Sequence, residues 1–172
     1  MKGPDSDGAA RPLHAYVAHF RVRHHQLDPL GHVNNAAYLN FLEQAAIDHA
    51  AAAGYDVARL RAAGGLFIAR RHEIDFVRPA FAGDRLRVAT WPVEIRGARA
   101  VRAYEVRRLE PGDDPRATPS DALIDPAAVT AMGGEVIVRA RTEWAFVEER
   151  TGRPRRIPPE VRAAFLQNGN GA

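Results

Sequence analysis

The sequence predicts an α+β domain in which an antiparallel five-stranded sheet curls around one long central helix. One observation is a nearly uninterrupted apolar run at residues 36–53, typical of a helix that is enclosed on most sides. Another is a set of five strand-like segments, in which apolar and polar residues alternate. Most connections between these segments are short, which favours antiparallel pairing, and a curled sheet encloses the helix.

The first strand is predicted over residues 16–23, where apolar side chains recur at every second position. The central helix follows at about 36–53 and ends at Gly54, a residue typical of a helix C-cap. One face of this helix is apolar, and a polar strip lies opposite. The apolar face comprises Leu39, Leu42, Ala46, Ala50 and Ala53, and the polar strip comprises Asn40, Gln44 and Asp48.

The remaining elements follow in order. Residues 56–65 predict a short helix with Asp56 as its N-cap. Four further strands follow, and Pro92 marks a bend or an edge in one of them. The segment 110–133 is rich in Pro, Gly and Asp and too long for a hairpin turn, so we interpret it as a loop excursion. A short helix is predicted over 158–168. The four strands are 66–77, 85–96, 100–109 and 135–148.

These elements are interpreted as one domain over residues 14–166, with flexible tails at 1–13 and 167–172. A chain of 172 residues is long enough for one sizeable core. An open sheet exposes its edges and its outer surface, and covering them favours a dimer.

Composition excludes several classes of function. The chain has no cysteine, which excludes disulfides, thiolate nucleophiles and cysteine-based metal sites. It has no apolar signal region at its N-terminus, and no run approaches the ~18 apolar residues of a membrane span, so we expect a cytoplasmic protein without a membrane partner. The net charge is +3, but the arginines are spread among acids and no nucleic-acid motif is present. We therefore expect no nucleic-acid partner.

The densest polar motif lies directly before the central helix. Residues 28–35 read DPLGHVNN. A turn with a helix cap explains these residue types, because Asp28 before Pro29 and Gly31 is a competent turn former and asparagine is a common N-cap. An active site also explains them, because a helix N-terminus has unpaired N–H groups and about half a positive charge.

The motif and the helix together carry a family resemblance. Residues 28–54, DPLGHVNNAAYLNFLEQAAIDHAAAAG, resemble the signature of hot-dog-fold thioesterases of the 4-hydroxybenzoyl-CoA thioesterase and short-chain acyl-CoA thioesterase group. The resemblance extends to RRHEIDFVRPAFAGDRLRVAT at 70–90 and covers roughly 17–109 and 134–148. It implies a hot-dog fold, a thioester of CoA or acyl carrier protein as substrate, and no cofactor beyond the CoA of that substrate. It also implies a homodimer or dimer of dimers with active sites at the subunit interface.

The resemblance assigns the chemistry to the motif. Asp28 would either attack the thioester as a nucleophile or activate water as a general base. The oxyanion would be held at the helix N-terminus by a main-chain N–H near Asn35. Gly31 would allow close approach of the thioester or supply a positive φ. His32 would orient Asp28 or the substrate, or pack on the helix.

Further residues have two interpretations each. Asn34 or Asn35 is the N-cap, and the other contacts substrate. Glu43 matches an acid that many relatives carry on this helix, with either a buried hydrogen-bonded role or a catalytic one. The substrate contacts predicted besides the asparagines are Gly31, Val33, Arg70, Arg71 and Arg78. The three arginines would pair with CoA phosphates or line a solvated strand face.

Three alternative functions would use the same fold or the same residues. A hydratase or dehydratase of the same fold would use Asp28 with His32, although those families carry a longer D-x-N-P-x-H spacing or a His followed by a helix Glu. A non-catalytic acyl-thioester-binding module would keep the fold without turnover. A metal site would use His24, His25, Asp28 and His32, but this spacing matches no familiar zinc pattern, and we expect no metal.

Overall fold

The structure, a computed structural model, describes residues 11–114 and 118–167. Its helices are α1 (Asn35–Ala52), α2 (Val57–Ala62) and α3 (Pro159–Ala163), with 3₁₀ turns at His24–Gln26 and Pro126–Ala131. Its strands are β1 (Arg11–Pro12), β2 (Ala15–Arg21), β3 (Leu66–Phe76), β4 (Arg85–Arg96), β5 (Arg99–Arg108), β6 (Ala122–Ile124), β7 (Glu135–Val147) and β8 (Leu166–Gln167).

One antiparallel sheet with a long helix on its inner face forms the domain. The strand order is β3-β7-β5-β4-β2-β6, and every pair is antiparallel. The predicted antiparallel sheet around a helix is confirmed, with six strands rather than five. The sixth strand is β6, which pairs with β2 at one edge, while β3 forms the other edge.

The segment predicted as an excursion contains this sixth strand. Within 110–133, residues Ala122–Ile124 pair with β2 and Pro126–Ala131 form a 3₁₀ turn capped by Asp125. Residues 115–117 lie outside the described residues. At the chain ends, Arg11–Pro12 pair with Leu166–Gln167, and the rest of the predicted tails lies outside the described residues.

The inner face of the sheet follows the alternation that the sequence predicts. Along β7 the side chains of Val138, Ala140, Thr142, Trp144 and Phe146 are buried, because every second side chain points to the core. The β4–β5 register shifts between Pro92 and Glu94, so the predicted irregularity at this proline is present.

Helix α1 begins one residue before its predicted start and buries one side only. Its buried side chains are Ala37, Tyr38, Phe41, Leu42, Ala45, Ala46 and His49. On the other side Glu43, Gln44 and Ile47 are exposed, so the expectation that the helix is enclosed on most sides is wrong for the single protomer. The reason is that the sheet covers α1 from one direction, and the opposite side is left open.

Two contacts show that α1 and β3 run in opposite directions. At the start of the helix the ring centroid of Tyr38 lies 5.5 Å from that of Phe76, the last residue of β3. At the end of the helix Ala50 packs into the same apolar cluster as Leu66 and Phe67, the first residues of β3. The helix start therefore lies at the C-terminal end of the edge strand.

A glycine directly before β3 is required by packing. A Cβ placed on Gly65 would lie 2.4 Å from the Val147 carbonyl oxygen and 2.9 Å from the Phe146 ring. We expect Gly65→Ala to lower the free energy of unfolding by about 1–3 kcal/mol, because backbone atoms cannot move aside without disturbing β3 and β7. Urea denaturation measures this loss.

Gly83→Ala is the matched comparison. Gly83 has φ of +86°, and no heavy atom lies within 4 Å of the position that an alanine methyl group would take, so only backbone strain opposes alanine there. A Gly65→Ala protein as stable as wild type would show that this packing is absent.

Candidate active site

Asp28 organises the loop that leads into α1. Its Oδ1 accepts hydrogen bonds from the backbone N–H of Leu30 at 2.9 Å and of His32 at 3.1 Å. The backbone closes the same turn, since Gly31 N–H donates to the Asp28 carbonyl at 3.0 Å and Asp28 N–H donates to the His32 carbonyl at 2.8 Å. The carboxyl group is half-buried, and no described residue donates to its Oδ2. One oxygen therefore holds the turn, and the other is available for chemistry.

Gly31 gives this turn its shape. Its φ is +78°, and no heavy atom lies within 4 Å of the position that a Cβ would take. Of the two roles predicted for this glycine, the protomer itself requires the positive φ, which an L side chain rarely adopts.

The start of α1 leaves one main-chain donor unused. Asn34 is the N-cap, because its Oδ1 accepts from Ala36 N–H at 2.9 Å. Ala37 N–H donates to the Asn34 carbonyl at 2.8 Å. The Asn35 N–H has no acceptor among the described residues. It lies at the positive end of the helix dipole, seven residues after Asp28.

The two residues between the turn and the cap attach the loop to the body of the protein. Val33 is buried, and its N–H donates to the Ala80 carbonyl at 2.9 Å. The His32 ring packs edge-on against Phe81, with ring centroids 5.3 Å apart. The His32 ring forms no hydrogen bond with Asp28, so only the main chain of His32 orients this acid.

Glu43 does not lie beside Asp28 along the helix. It follows Asn35 by eight residues, which corresponds to about 12 Å along the helix axis. Its side chain is exposed, so a buried hydrogen-bonded role is absent in the protomer.

The three arginines predicted to contact CoA differ in their partners. Arg71 pairs with Glu73 on the same strand. Arg78 lies 3.6 Å from Glu135 and also donates to the Val77 carbonyl at 3.0 Å. Arg70 is exposed and has no ion pair with a described residue. Arg70 is therefore the one of the three whose charge has no carboxylate nearby in the part of the chain that the structure describes.

The sequence profile of the thioesterase-like superfamily matches residues 22–165, which is most of the chain. This chain belongs to the thioesterase-like superfamily. The predicted family and the predicted class of enzyme, a thioester hydrolase, are confirmed at this level. No curated protein matches the chain in sequence.

Solved structures of thioesterases share the fold of this superfamily member. A probable thioesterase from Bartonella henselae is 26% identical, with a TM-score of 0.63 over 84% of this chain and 99% of that one. A thioesterase from Thermus thermophilus, complexed with coenzyme A and Zn, is 24% identical, with a TM-score of 0.63 over 86% and 94%. The 1,4-dihydroxy-2-naphthoyl-CoA thioesterase Slr0204 from Synechocystis is 16% identical, with a TM-score of 0.67 over 87% and 94%.

An apolar cavity of about 210 Å³, which no sequence pattern predicted, lies beside the second half of α1 in this thioesterase-family protein. Glu43 lines it together with other residues of α1 and with residues of α2, β3, β4, β5 and β7. Its apolar walls include Ala46, Ala50, Leu60, Phe67, Trp144 and Phe165. We call it the core cavity. One charged side chain from the sheet, that of Arg102, also lines it.

A chain of polar groups joins the sheet to α1 at this cavity. Arg102 Nη1 lies 2.6 Å from His49 Nδ1, and His49 Nε2 lies 2.7 Å from His14 Nδ1. Because a guanidinium can only donate, His49 Nδ1 must accept, and the His49 proton on Nε2 then points to His14. Burial, followed by the Arg102 charge, lowers the pKa of His49 and of His14. Both rings are therefore neutral.

Sequence periodicity contained a signal for both missed residues. His49 follows Leu42 by seven residues and Ala45 by four, which places it on the buried face of a helix. Arg102 alternates with Tyr104 and Val106, both of which are buried on β5. A basic residue at an inward position of a strand is unusual enough to indicate a site.

The described residues contain neither a metal-binding cluster nor a membrane-spanning helix. No group of three or more His, Asp or Glu side chains there could hold a metal ion. Within the same ranges, no helix is long and apolar enough to cross a membrane.

The neutral His49 predicts an acid-sensitive fold. Its pKa is lowered from 6.5 in the folded state, so unfolding takes up a proton once the pH falls below about 6.5. The stabilisation is complete above that pH and is lost as the pH decreases. We expect His49 alone to lower the free energy of unfolding by about 1.4 kcal/mol per pH unit below this value, measured by urea denaturation. His14 and His19, whose pKa values are also lowered by burial, add to this slope.

His49→Gln is the control for this pH effect. Glutamine keeps a polar group beside Arg102 but does not titrate, so the slope below pH 6.5 should decrease even if the variant is less stable overall. An unchanged slope would assign the acid sensitivity to other groups.

Proposed function

We propose that this protein hydrolyses an acyl thioester of CoA or of an acyl carrier protein, with Asp28 as nucleophile or general base. The observation that supports this most directly is that two groups in the segment 28–35 lack hydrogen-bond partners among the described residues. Asp28 Oδ2 has no donor, and Asn35 N–H has no acceptor, among the described residues. A thioester needs both an oxygen donor and an oxyanion binder, and this loop offers one of each.

Asp28 has two routes to the same products. As a nucleophile, Oδ2 bonds to the thioester carbon, the carbon–sulfur bond breaks, and water then hydrolyses the mixed anhydride. As a general base, Asp28 takes a proton from water while the water oxygen attacks, and that proton passes to the departing sulfur. Both routes consume one water and release one acid and one thiol.

The start of α1 would stabilise the oxyanion. The Asn34 side chain already caps Ala36 N–H, which leaves the Asn35 N–H to receive the negative charge that develops on the thioester oxygen. One such donor contributes about 3–4 kcal/mol to the transition state. Because this donor is main-chain, the identity of the Asn35 side chain matters less than its position.

The edge strand β3 supports a homodimer. Its exposed apolar side chains include Ile68 at 43% and Phe76 at 44%, and its edge has no partner strand in the described residues. Antiparallel pairing of β3 with β3 of a second copy would cover them about a twofold axis. A dimer of two such dimers is the other state that the resemblance implies.

Such a dimer would complete the active site. Since α1 begins at the Phe76 end of β3 and the core cavity lies at its Leu66 end, the twofold axis brings the helix start of one protomer beside the cavity of the second. The acyl group of a thioester held at Asn35 would then enter the second protomer's cavity. Glu43, at the edge of that cavity, would assist from across the interface. Arg70 would bind the CoA phosphates. We also propose that the reaction takes place in the cytoplasm.

A proton-transfer function at an enoyl thioester has less support. That chemistry would use an acid–histidine pair, and the His32 ring instead packs on Phe81. A non-catalytic binding module would need no available carboxyl oxygen at the helix start, and Asp28 provides one.

Replacing Asp28 tests the proposed chemistry. We expect Asp28→Asn to reduce kcat for acyl-CoA hydrolysis by about 100-fold or more, because the amide neither attacks nor accepts a proton. Thiol release across a panel of acyl-CoAs measures the loss, and circular dichroism checks the fold. Asp56→Asn, which keeps a competent cap on α2, is the matched acid-to-amide control and should retain activity. Near wild-type turnover by Asp28→Asn would refute the assignment.

Introducing a charged side chain on the β3 edge tests the proposed dimer. We expect Ile68→Glu to give monomers with little activity, because pairing with the second β3 would bury an unpaired carboxylate where an apolar side chain packs, and the active site would lose its second half. Light scattering after size-exclusion chromatography measures the mass. Leu123→Glu, at an equally exposed position on the opposite edge strand β6, should stay dimeric and active. A wild-type protein that is monomeric and fully active would exclude this arrangement.

A further inference from the structure

Arg102 is a buried cation without a counter-ion in the described residues. Its exposed fraction is 9%, and none of the ion pairs between described residues includes it. Nη1 bonds to His49 at 2.6 Å and to Thr90 at 3.2 Å, and both partners are uncharged. The Phe165 ring centroid lies 5.9 Å from the guanidinium carbon. The N–H groups on Nε and Nη2 have no acceptor there.

This charge is not removed by proton loss. Burial lowers the pKa of the Arg102 guanidinium, yet guanidinium groups stay protonated in proteins. The neighbouring His49 and His14 are neutral, so they neither add nor cancel charge. A buried cation that lacks an anion is strongly unfavourable, and proteins retain one where a ligand or a partner supplies the negative charge.

The charge lies at the core cavity. Apart from Glu43 at its edge, Arg102 is the charged residue that lines this otherwise apolar space of about 210 Å³. That volume corresponds to about seven water molecules, and hence to the end of an acyl group rather than to a whole CoA. Trp144 lines the same cavity, and the described partner of its buried indole Nε1 is the Tyr104 hydroxyl.

We propose that the core cavity binds an acyl group that carries a carboxylate at the end far from the thioester, with Arg102 as the counter-ion of that carboxylate. This inference rests on the proposed function, because it names the class of thioester that the site accepts. The free Nε and Nη2 donors offer the side-on pair of hydrogen bonds with which a guanidinium binds a carboxylate. The apolar walls hold the carbon chain between the two ends.

The same geometry disfavours a methyl-terminated acyl chain. An apolar end in the cavity would leave the Arg102 charge buried without an anion. Substrates that lack the terminal carboxylate therefore lose the ion pair and add a desolvation cost. The discrimination between a carboxylate end and a methyl end comes from Arg102 alone, so substitution of this one residue tests it.

The test uses straight-chain CoA thioesters of increasing length, each prepared with either a terminal carboxylate or a terminal methyl group. At the length that fits, we expect kcat/KM for the carboxylate form to exceed that for the methyl form by about 10- to 100-fold. A preference for the methyl form at every length would overturn the inference. This comparison needs only the wild-type protein.

Two variants assign the preference to Arg102. Arg102→Gln removes the charge and should bring the ratio of the two kcat/KM values to about one, while Arg102→Lys keeps the charge and should restore part of the preference. A preference that persists in a folded Arg102→Gln protein would also overturn the inference.

Binding of free acids separates this inference from the proposed function. Calorimetry with the Asp28→Asn protein compares a dicarboxylic acid with the monocarboxylic acid of equal length. If no thioester is cleaved but the diacid binds more tightly, the hydrolase proposal fails and the cavity assignment holds. If thioesters are cleaved but the two acids bind equally, the cavity assignment fails and the hydrolase proposal holds.

Discussion

The packing of α1 on the inner face of the sheet is the constraint on which the rest of this structure depends. Its buried stripe, with Tyr38, Phe41, Leu42 and Ala45 at its centre, holds the helix axis along the strands. Once that axis is set, the helix start and the loop before it can occupy only one end of the sheet. The catalytic proposal depends on this end, because an unpaired N–H is useful only where a substrate can reach it.

Positive charge lies near both ends of α1. At its start the helix dipole and the Asn35 N–H favour negative charge, and near its end Arg102 donates to His49 and adds a full positive charge. In the proposed dimer the start of one helix lies near the end of the other. A thioester that develops an oxyanion at one point and carries a carboxylate at another would meet positive potential at both.

The fold depends on the general pattern of apolar residues, whereas the proposed chemistry depends on a few specific residues. Solved thioesterases that are 16% to 26% identical to this chain keep its architecture. The architecture survives because many apolar combinations fill one core, provided that their periodicity and volume are kept. The proposed chemistry rests on a few groups in one loop, and the proposed choice of acyl group rests on one side chain, Arg102, at the core cavity.

Much of the fold was predictable from the sequence, because local patterns determine it. The alternation along β7, the cap at Asp56 and the apolar run of α1 each depend on neighbouring residues, and the structure has them. Segment 110–133 gave no such pattern, because β6 is three residues long and exists only by pairing with β2. The buried face of α1 was predicted with an error, since a helix that is apolar almost all round does not show which side meets the sheet.

The candidate site likewise has features that the sequence determines and features that only the tertiary structure decides. The sequence by itself determined that an acid, a glycine and a cap stand before a long helix, because these groups are contiguous and their hydrogen bonds are local. Only the tertiary structure decided that Asn34 rather than Asn35 is the cap and that the His32 ring turns to Phe81. It also decided that His49 and Arg102, 53 positions apart, contact each other and that Arg102 lines the core cavity. Their meeting depends on how the sheet curls over the helix, and no local pattern encodes that.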